Sequence, residues 1–264
     1  MIDRRLEVLE EIQRLIATVI ATNPAGHNLC LIGGFRYRFL DESCRLSNDV
    51  DYHWDGDLDE KQTEVVSLFK RKLLPEVKQH FGYDGTVSPA TGPNADSPSV
   101  KIINLAFYRI DVSHSRIGIP VDITRIVCLD QPTVRTAQGV VYPTISDTDM
   151  IESKVISLFN RQTIEERDLV DLFLFENQLA PDSAERIALK LSGISLPRLL
   201  VKERLHDMVT DRDYHVRAIK EIIDDQLDPQ AVANINEAGG ASMVFDRVCD
   251  VLLKRLKLSS KEDS

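Results

Sequence analysis

Two aspartates separated by one residue, Asp49 and Asp51 in Arg45-Leu46-Ser47-Asn48-Asp49-Val50-Asp51-Tyr52, are the side chains of this sequence most clearly spaced for chemistry. In an extended strand successive side chains point to opposite faces, so both carboxylates project from one face while Val50 and Tyr52 turn to the other. Adjacent anions repel unless a cation lies between them, and Mg²⁺ takes carboxylate oxygens while phosphate oxygens and water complete its shell. The pair therefore predicts a divalent metal and a phosphate, the requirements of metal-dependent nucleotidyl transfer. Upstream, Gly33-Gly34 ends the apolar run Leu29–Ile32. Glycines at a strand-to-helix turn let backbone N–H groups approach a triphosphate, and the N-terminus of the next helix adds a favourable dipole. Ser47 either donates to a phosphate oxygen or caps the strand, and Arg45 is either a phosphate ligand or a surface cation.

Phosphoryl transfer with two metals calls for a third carboxylate that ligates metal or takes the proton of the attacking hydroxyl. Asp122, alone among the β-branched residues of Ile119-Pro120-Val121-Asp122-Ile123-Thr124, fits that position, and Asp111 at the end of the preceding strand competes with it. Further along, Lys154 is a point charge suited to a triphosphate. Arg161, Arg167, Asp168 and Asp171 follow within one charged helical stretch, where Arg167 and Asp171 have the i,i+4 spacing of a helical ion pair.

These residues must be held by an α/β (α+β) framework. Arg5–Ala21 carries apolar residues at helical spacing, Leu29–Ile32 reads as a buried strand, Phe35–Ser43 as a helix, and Asp49–Trp54 as a second strand. An amphipathic helix is expected over Asp59–Phe81. The Gly-, Pro-, Ser- and Asn-rich stretch Gly82–Pro98 reads as a loop or irregular hairpin. Val100–Ile110 and Gly118–Ile126 alternate as an antiparallel pair around His114-Ser115-Arg116 and supply the remaining strands. From Ser146, a cap residue followed by first-turn acids, the pattern becomes helical, with helices expected near Ile164–Asn177, Ser183–Leu191, Leu196–Val209, Asp211–Asp225 and Met243–Leu256. The expected organisation is thus a mixed-sheet core over residues 1–140, a helical domain over 141–258 that completes a nucleotide cleft, and a disordered polar tail over 259–264.

The chain has 264 residues and a formal net charge of −10, which argues against gripping nucleic acid through a broad basic face and leaves room for a local basic cleft. No apolar run is long enough to span a bilayer, and the N-terminus lacks a signal-peptide apolar core. Cys30, Cys44, Cys128 and Cys249 show no metal-ligand spacing and suit reduced thiols. These features predict a cytoplasmic protein with no membrane partner.

The Gly-Gly turn, the Arg-x-Ser-x-Asp-x-Asp strand, the strand bearing a third Asp, the Lys-x-x-x-x-Leu helix and the Arg-Asp-x-x-Asp-Leu helix together resemble the AbiEii-type nucleotidyltransferase toxins. That family belongs to the DNA polymerase beta-like superfamily and serves bacterial abortive infection and type IV toxin–antitoxin systems. The resemblance runs from about Leu29 to about Phe175 and departs from the family pattern at Phe35, where a small hydroxyl residue usually follows Gly-Gly. It implies a polymerase-beta-like core and a helical domain, with Asp49 and Asp51 binding Mg²⁺ and Asp122 similar in placement to the third acid. It further implies that Lys154 contacts nucleotide phosphates, with Asp168 close to that lysine, and that Gly33, Gly34, Arg45, Ser47 and Arg161 surround the nucleotide. A nucleoside monophosphate would pass from an NTP to an acceptor hydroxyl, with the 3′ end of tRNA or another RNA as acceptor and a cognate antitoxin as partner.

Other readings compete with it. The stretch Asp51–Asp59 resembles a calcium-binding EF-hand loop, yet its third position is His53 and its twelfth is Gln62 instead of a bidentate Glu. No histidine pair has zinc-ligand spacing, and no nucleophile-elbow sequence supports a Ser/His/Asp hydrolase. Transfer to a protein or small-molecule hydroxyl, and an NTP-binding interaction module without catalysis, remain as alternatives.

Overall fold

A computed structural model describes residues 4–91, 98–109 and 116–257. Asp111, the His114-Ser115 turn and the expected tail over 259–264 lie outside the described residues. In chain order the elements are α1 (Arg4–Ala21), β1 (Cys30–Ile32), α2 (Gly33–Leu40), β2 (Val50–His53), α3 (Leu58–Leu68), α4 (Leu74–Phe81), β3 (Asp84–Pro89), β4 (Val100–Tyr108), β5 (Arg116–Thr124), β6 (Thr133–Ala137) and β7 (Val140–Thr144). Helices α5 (Asp147–Asn160), α6 (Glu166–Phe175), α7 (Ser183–Gly193), α8 (Arg198–Thr210), α9 (Arg212–Gln226), α10 (Pro229–Glu237) and α11 (Gly240–Asp250) follow. The chain forms two compact units, one of Met1–Ser43, Ser47–Ile126 and Pro132–Ile145, the other of Cys44–Leu46, Val127–Gln131 and Ser146–Ser264.

The first unit is built on a mixed seven-stranded sheet of order β3-β4-β5-β2-β1-β7-β6, in which β2 runs parallel to β5 and β1 parallel to β7. Alternation along the central strands divides its two faces. Val50, Tyr52, Ile103, Leu105, Phe107, Ile119, Val121 and Ile123 are buried in one cluster with Ile12 and Ile16 of α1 and Val65, Phe69 and Val77 of the α3–α4 region. The alternate residues of β4 and β5, including Asn104, Tyr108, Gly118 and Asp122, are half-buried or exposed.

Three departures from the expected elements have local causes. Gly82–Pro98 contains strand β3, paired along its whole length with β4 although Val87 is its one buried residue. An edge strand of weak propensity forms there because a nine-residue neighbour templates it. The hairpin β6–β7 turns on Gln138-Gly139, both at positive φ (48° and 78°), which is the two-residue turn that matches strand twist. Between α3 and α4 a π turn, Phe69–Leu73, places exposed Lys70, Arg71 and Lys72 between fully buried Phe69 and Leu73.

In the second unit α5 starts as its residues dictate, with the Ser146 hydroxyl accepting from the Asp149 N–H at 3.0 Å. Helix α10 is an element that the sequence pattern did not suggest. Two segments remote in sequence are fastened to these helices. Cys44–Leu46 bonds through Leu46 N–H to Gln226 O (2.8 Å) and through Cys44 O to Asp228 N–H (2.9 Å). Val127–Gln131 is held by the Leu129 and Asp130 N–H groups, which donate to the Asp149 carboxylate at 2.9–3.2 Å. Asp149 and Glu152 are fully buried acids. Lys190 Nζ lies 2.6 Å from Asp149 and 2.7 Å from Glu152, and Arg186 bridges both acids and Asp130 at 2.8–2.9 Å.

Removing a partner from a buried charge cluster leaves an uncompensated ion in low dielectric. Lys190→Met is therefore expected to cost about 3–5 kcal/mol of unfolding free energy by urea titration. A loss below about 1 kcal/mol would show that Arg186 neutralises both acids unaided.

Candidate active site

The pairing of β2 with β5 sets the centre of the first unit's site. Its parallel register places Asp51 directly beside Asp122, so the two carboxylates share the sheet face that the hydrophobic cluster leaves open. On the other side of β2, Ile32 pairs with Asp51, and the next residue, Gly33, begins α2. Gly33 has φ +77°, and a Cβ built on it would fall 1.9 Å from Asp51 Oδ2. Two requirements thus converge on one position, a left-handed backbone and a carboxylate packed against Cα. The helix starts at Gly33 itself, two residues before the expected Phe35. Phe35 is 1 % exposed and stacks on Phe39, so it belongs to the core.

Asp49 stands just ahead of β2, which begins at Val50. The Ser47 hydroxyl donates to Asp49 Oδ1 at 2.6 Å, so Ser47 orients the first acid. Gln13 of α1, fully buried, donates through Nε2 to Ser47 O (2.9 Å) and Asp49 O (3.2 Å) and fixes the backbone that carries both residues. Gln13 was absent from the sequence expectations; its one signal is a polar residue on an apolar helical stripe.

Arg45, Lys154, Arg161 and Asp168 belong to the second unit. Lys154 Nζ lies 2.9 Å from both Asp168 Oδ1 and Asp171 Oδ2. Arg45 grips Asp171 with two donors, Nε at 2.6 Å and Nη2 at 2.9 Å, and Arg161 donates to Asp168 at 2.9 Å. Asp171 is the centre of this network, and its partners are Arg45 and Lys154, whereas Arg167 lies 3.6 Å from Glu165. The i,i+4 pair expected of Arg167 and Asp171 is replaced because Asp171 is 1 % exposed and turned to the buried cations. Burial would raise its carboxyl, but the Lys154 ammonium and Arg45 guanidinium overcome that and hold it below the usual 3.8. Burial likewise disfavours charged Lys154, and the two carboxylates more than offset it and raise its pKa. Lys154, Arg45 and Arg161 thus converge on two carboxylates, Asp168 and Asp171.

Neither a protein-family model nor a curated protein matches the sequence significantly. Solved structures do. MenT4, a nucleotidyltransferase toxin of Mycobacterium tuberculosis H37Rv, is 16 % identical with a TM-score of 0.57 over 98 % of this chain and 85 % of its own. A proposed nucleotidyltransferase from Helicobacter pylori is 18 % identical with a TM-score of 0.56, covering 99 % of this chain and all of its own length. JHP933, also from Helicobacter pylori, is 17 % identical with a TM-score of 0.55 over 98 % and 96 % of the two chains. The chain has the nucleotidyltransferase fold.

Within a nucleotidyltransferase fold the donor chemistry can be tested against Mg²⁺. Among the described residues no group of three or more His, Cys, Asp or Glu is arranged as a metal cage. Mg²⁺ does not require one, since it is commonly held by one or two carboxylates together with substrate phosphates, and the neighbouring Asp51 and Asp122 meet that need. The hard oxygen donors fit the ion.

The depressed carboxyl of Asp171 also sets a pH window. A carboxyl whose folded pKa lies below its unfolded value contributes stability above the unfolded pKa and loses it as pH falls through the folded one. Asp171→Asn is expected to destabilise the protein by about 3–5 kcal/mol at neutral pH. In urea titrations across pH, that gap should hold steady above about pH 5 and shrink below the ordinary value of 3.8. A gap that stays constant down to pH 3 would rule out the charge pairing as its cause.

Proposed function

We propose that this chain is a Mg²⁺-dependent nucleotidyltransferase that moves a nucleoside monophosphate from an NTP to an acceptor hydroxyl. The observation that carries the reading is the Asp51–Asp122 register beneath Gly33, two carboxylates side by side at the start of a helix whose first residue has no room for a side chain. Asp49 and Asp51 would hold Mg²⁺ together with Asp122. Bound there, the ion would offset negative charge on the transferring phosphoryl group. The acceptor oxygen attacks the α-phosphorus, the bond to the β-phosphate oxygen breaks, and pyrophosphate leaves. Asp122 takes the proton of the attacking hydroxyl, and Ser47 keeps Asp49 aimed by its hydrogen bond. The backbone of Gly33 and Gly34 approaches the phosphates at the start of α2, where the dipole favours anions. Lys154 is the cation assigned to the triphosphate, with Arg45 and Arg161 beside it in the same charge network and Asp168 holding Lys154 and Arg161 in place.

For the acceptor we propose RNA, with the 3′ end of tRNA foremost, and for the biological role a toxin restrained by a cognate antitoxin in phage defence. The likeness to MenT4, described as a nucleotidyltransferase toxin, supports the toxin reading. Among the described residues no helix is long and apolar enough to cross a membrane, in keeping with action in the cytoplasm. The net charge of −10 favours a second reading, in which a protein or small molecule takes the nucleotide.

Purified protein incubated with Mg²⁺, each α-labelled NTP and cell extract should label a tRNA band, and chelation of the metal should stop the labelling. Asp51→Asn and Asp122→Asn should each lower transfer by about two orders of magnitude while far-UV circular dichroism stays unchanged. Gly33→Ala should lower it too, because the new Cβ displaces the Asp51 carboxylate. Full activity in Asp51→Asn would remove the metal assignment, whereas label in protein or in small molecules would replace the acceptor and keep the chemistry.

A further inference from the structure

The sheet face that carries Asp51 and Asp122 continues along β5, β4 and β3 as an exposed shelf. Register partners on this face are Asp122 with Ile102, Pro120 with Asn104, Gly118 with Ala106 and Arg116 with Tyr108. Ser88 and Thr86 of β3 extend the same rows. The residues between the two ends are small or polar, so the surface is low and flat. Two glycines show how the sheet's faces differ. A Cβ on Gly85 would strike Phe107 at 2.8 Å on the covered face, whereas a Cβ on Gly118 would meet only Leu105 O at 4.0 Å. At Gly118 the shelf is open among the described residues, and Asn104, Tyr108 and Arg116 on it are exposed. From Asp122 to Arg116 it spans about 20 Å of strand.

Its far end has a distinct chemistry. Tyr108, at the end of β4, is 41 % exposed and offers an aromatic face to solvent. Arg116 beside it is exposed and makes no ion pair among the described residues. Asp84, an acid at that end among the described residues, is paired with Lys78 at 2.6 Å. An aromatic face with a cation next to it, reached along a flat polar track from a pair of carboxylates, is complementary to a base and its phosphate.

We infer that this shelf seats the single-stranded end of a nucleic-acid acceptor, with one base stacked on Tyr108, a phosphate at Arg116, and the terminal hydroxyl delivered toward Asp122. The inference deepens the transfer reading and rests on it for the delivered hydroxyl. A single-stranded end also reconciles an acidic protein with a nucleic-acid substrate, since stacking on an aromatic and one phosphate contact need no broad basic face. RNA and DNA ends share this chemistry.

The test measures equilibrium binding of fluorescein-labelled single-stranded RNA and DNA oligonucleotides of about twelve nucleotides by anisotropy, with NTP binding measured in parallel. Tyr108→Ala and Arg116→Ala remove the two contacts, and Gly118→Phe blocks the track at a position where the added side chain meets open space. Each is expected to weaken oligonucleotide binding about ten-fold or more with NTP affinity and melting temperature unchanged. RNA preferred over DNA identifies RNA as the occupant, and equal affinity retains the shelf with backbone and base as what it reads. Unchanged binding in all three variants, or no binding by the wild type, overturns the inference. So does a loss confined to a Lys70→Ala, Arg71→Ala, Lys72→Ala variant, which would move the polyanion to the helices that cover the opposite face. If the shelf variants lose binding while no NTP label is ever transferred, the shelf stands and the transfer reading fails.

Discussion

The Asp51 carboxylate occupies the space that a β-carbon on residue 33 would need. That contact joins three elements at once, because β1 must end and α2 must begin where the carboxylate leaves β2. The left-handed backbone of Gly33 turns the chain out of the sheet in a single residue, which a bulkier residue would do only under strain. Asp122 is then placed by nothing more than the parallel register of β5 on β2. A slip of one residue in that register would turn Asp122 into the apolar layer and Val121 out of it. Val121 and Ile123 are fully buried, so the core enforces the register that the carboxylates use.

The two units gather their acids in different settings. In the first, Asp51 and Asp122 lie side by side on neighbouring strands, as hard oxygen donors that suit a divalent metal. In the second, acids are buried together with their counter-ions: Asp171 with Arg45 and Lys154, and Asp149 and Glu152 with Lys190 and Arg186. Buried pairs of this kind add little net stability, but they leave the partners few other arrangements. They fix where Lys154 sits and keep it charged.

The places of Asp51 and Asp122 on neighbouring strands and the cap at Ser146 were legible because they follow from periods of two or from single-residue propensities. Asp49 was expected on the strand with Asp51, but β2 begins one residue after it. What was hidden depends on contacts made across the sheet or between helices. Nothing local marks Asp84–Pro89 as a strand, since β4 templates it, and the Gln138-Gly139 turn lacks the Asn or Asp that usually signals such a hairpin. Gln13 looks like a lapse in an apolar stripe until its amide is seen holding the backbone of Ser47 and Asp49. Asp171 reads as a partner for Arg167 by helical spacing, and only the fold shows two other cations converging on it.

The three residues Cys44–Leu46 belong to the second unit although the residues on both sides of them belong to the first. They are tied there by the bridge between Arg45 and Leu227 and by the grip of Arg45 on Asp171. Val127–Gln131 is lent to the helices in the same way. No single cut in the chain therefore yields both units whole. A protein cut between residues 145 and 146 would leave Cys44–Leu46 and Val127–Gln131 on the other piece, so the helical unit alone would lack the Arg45 partner of Asp171 and the Leu129 and Asp130 N–H donors to Asp149.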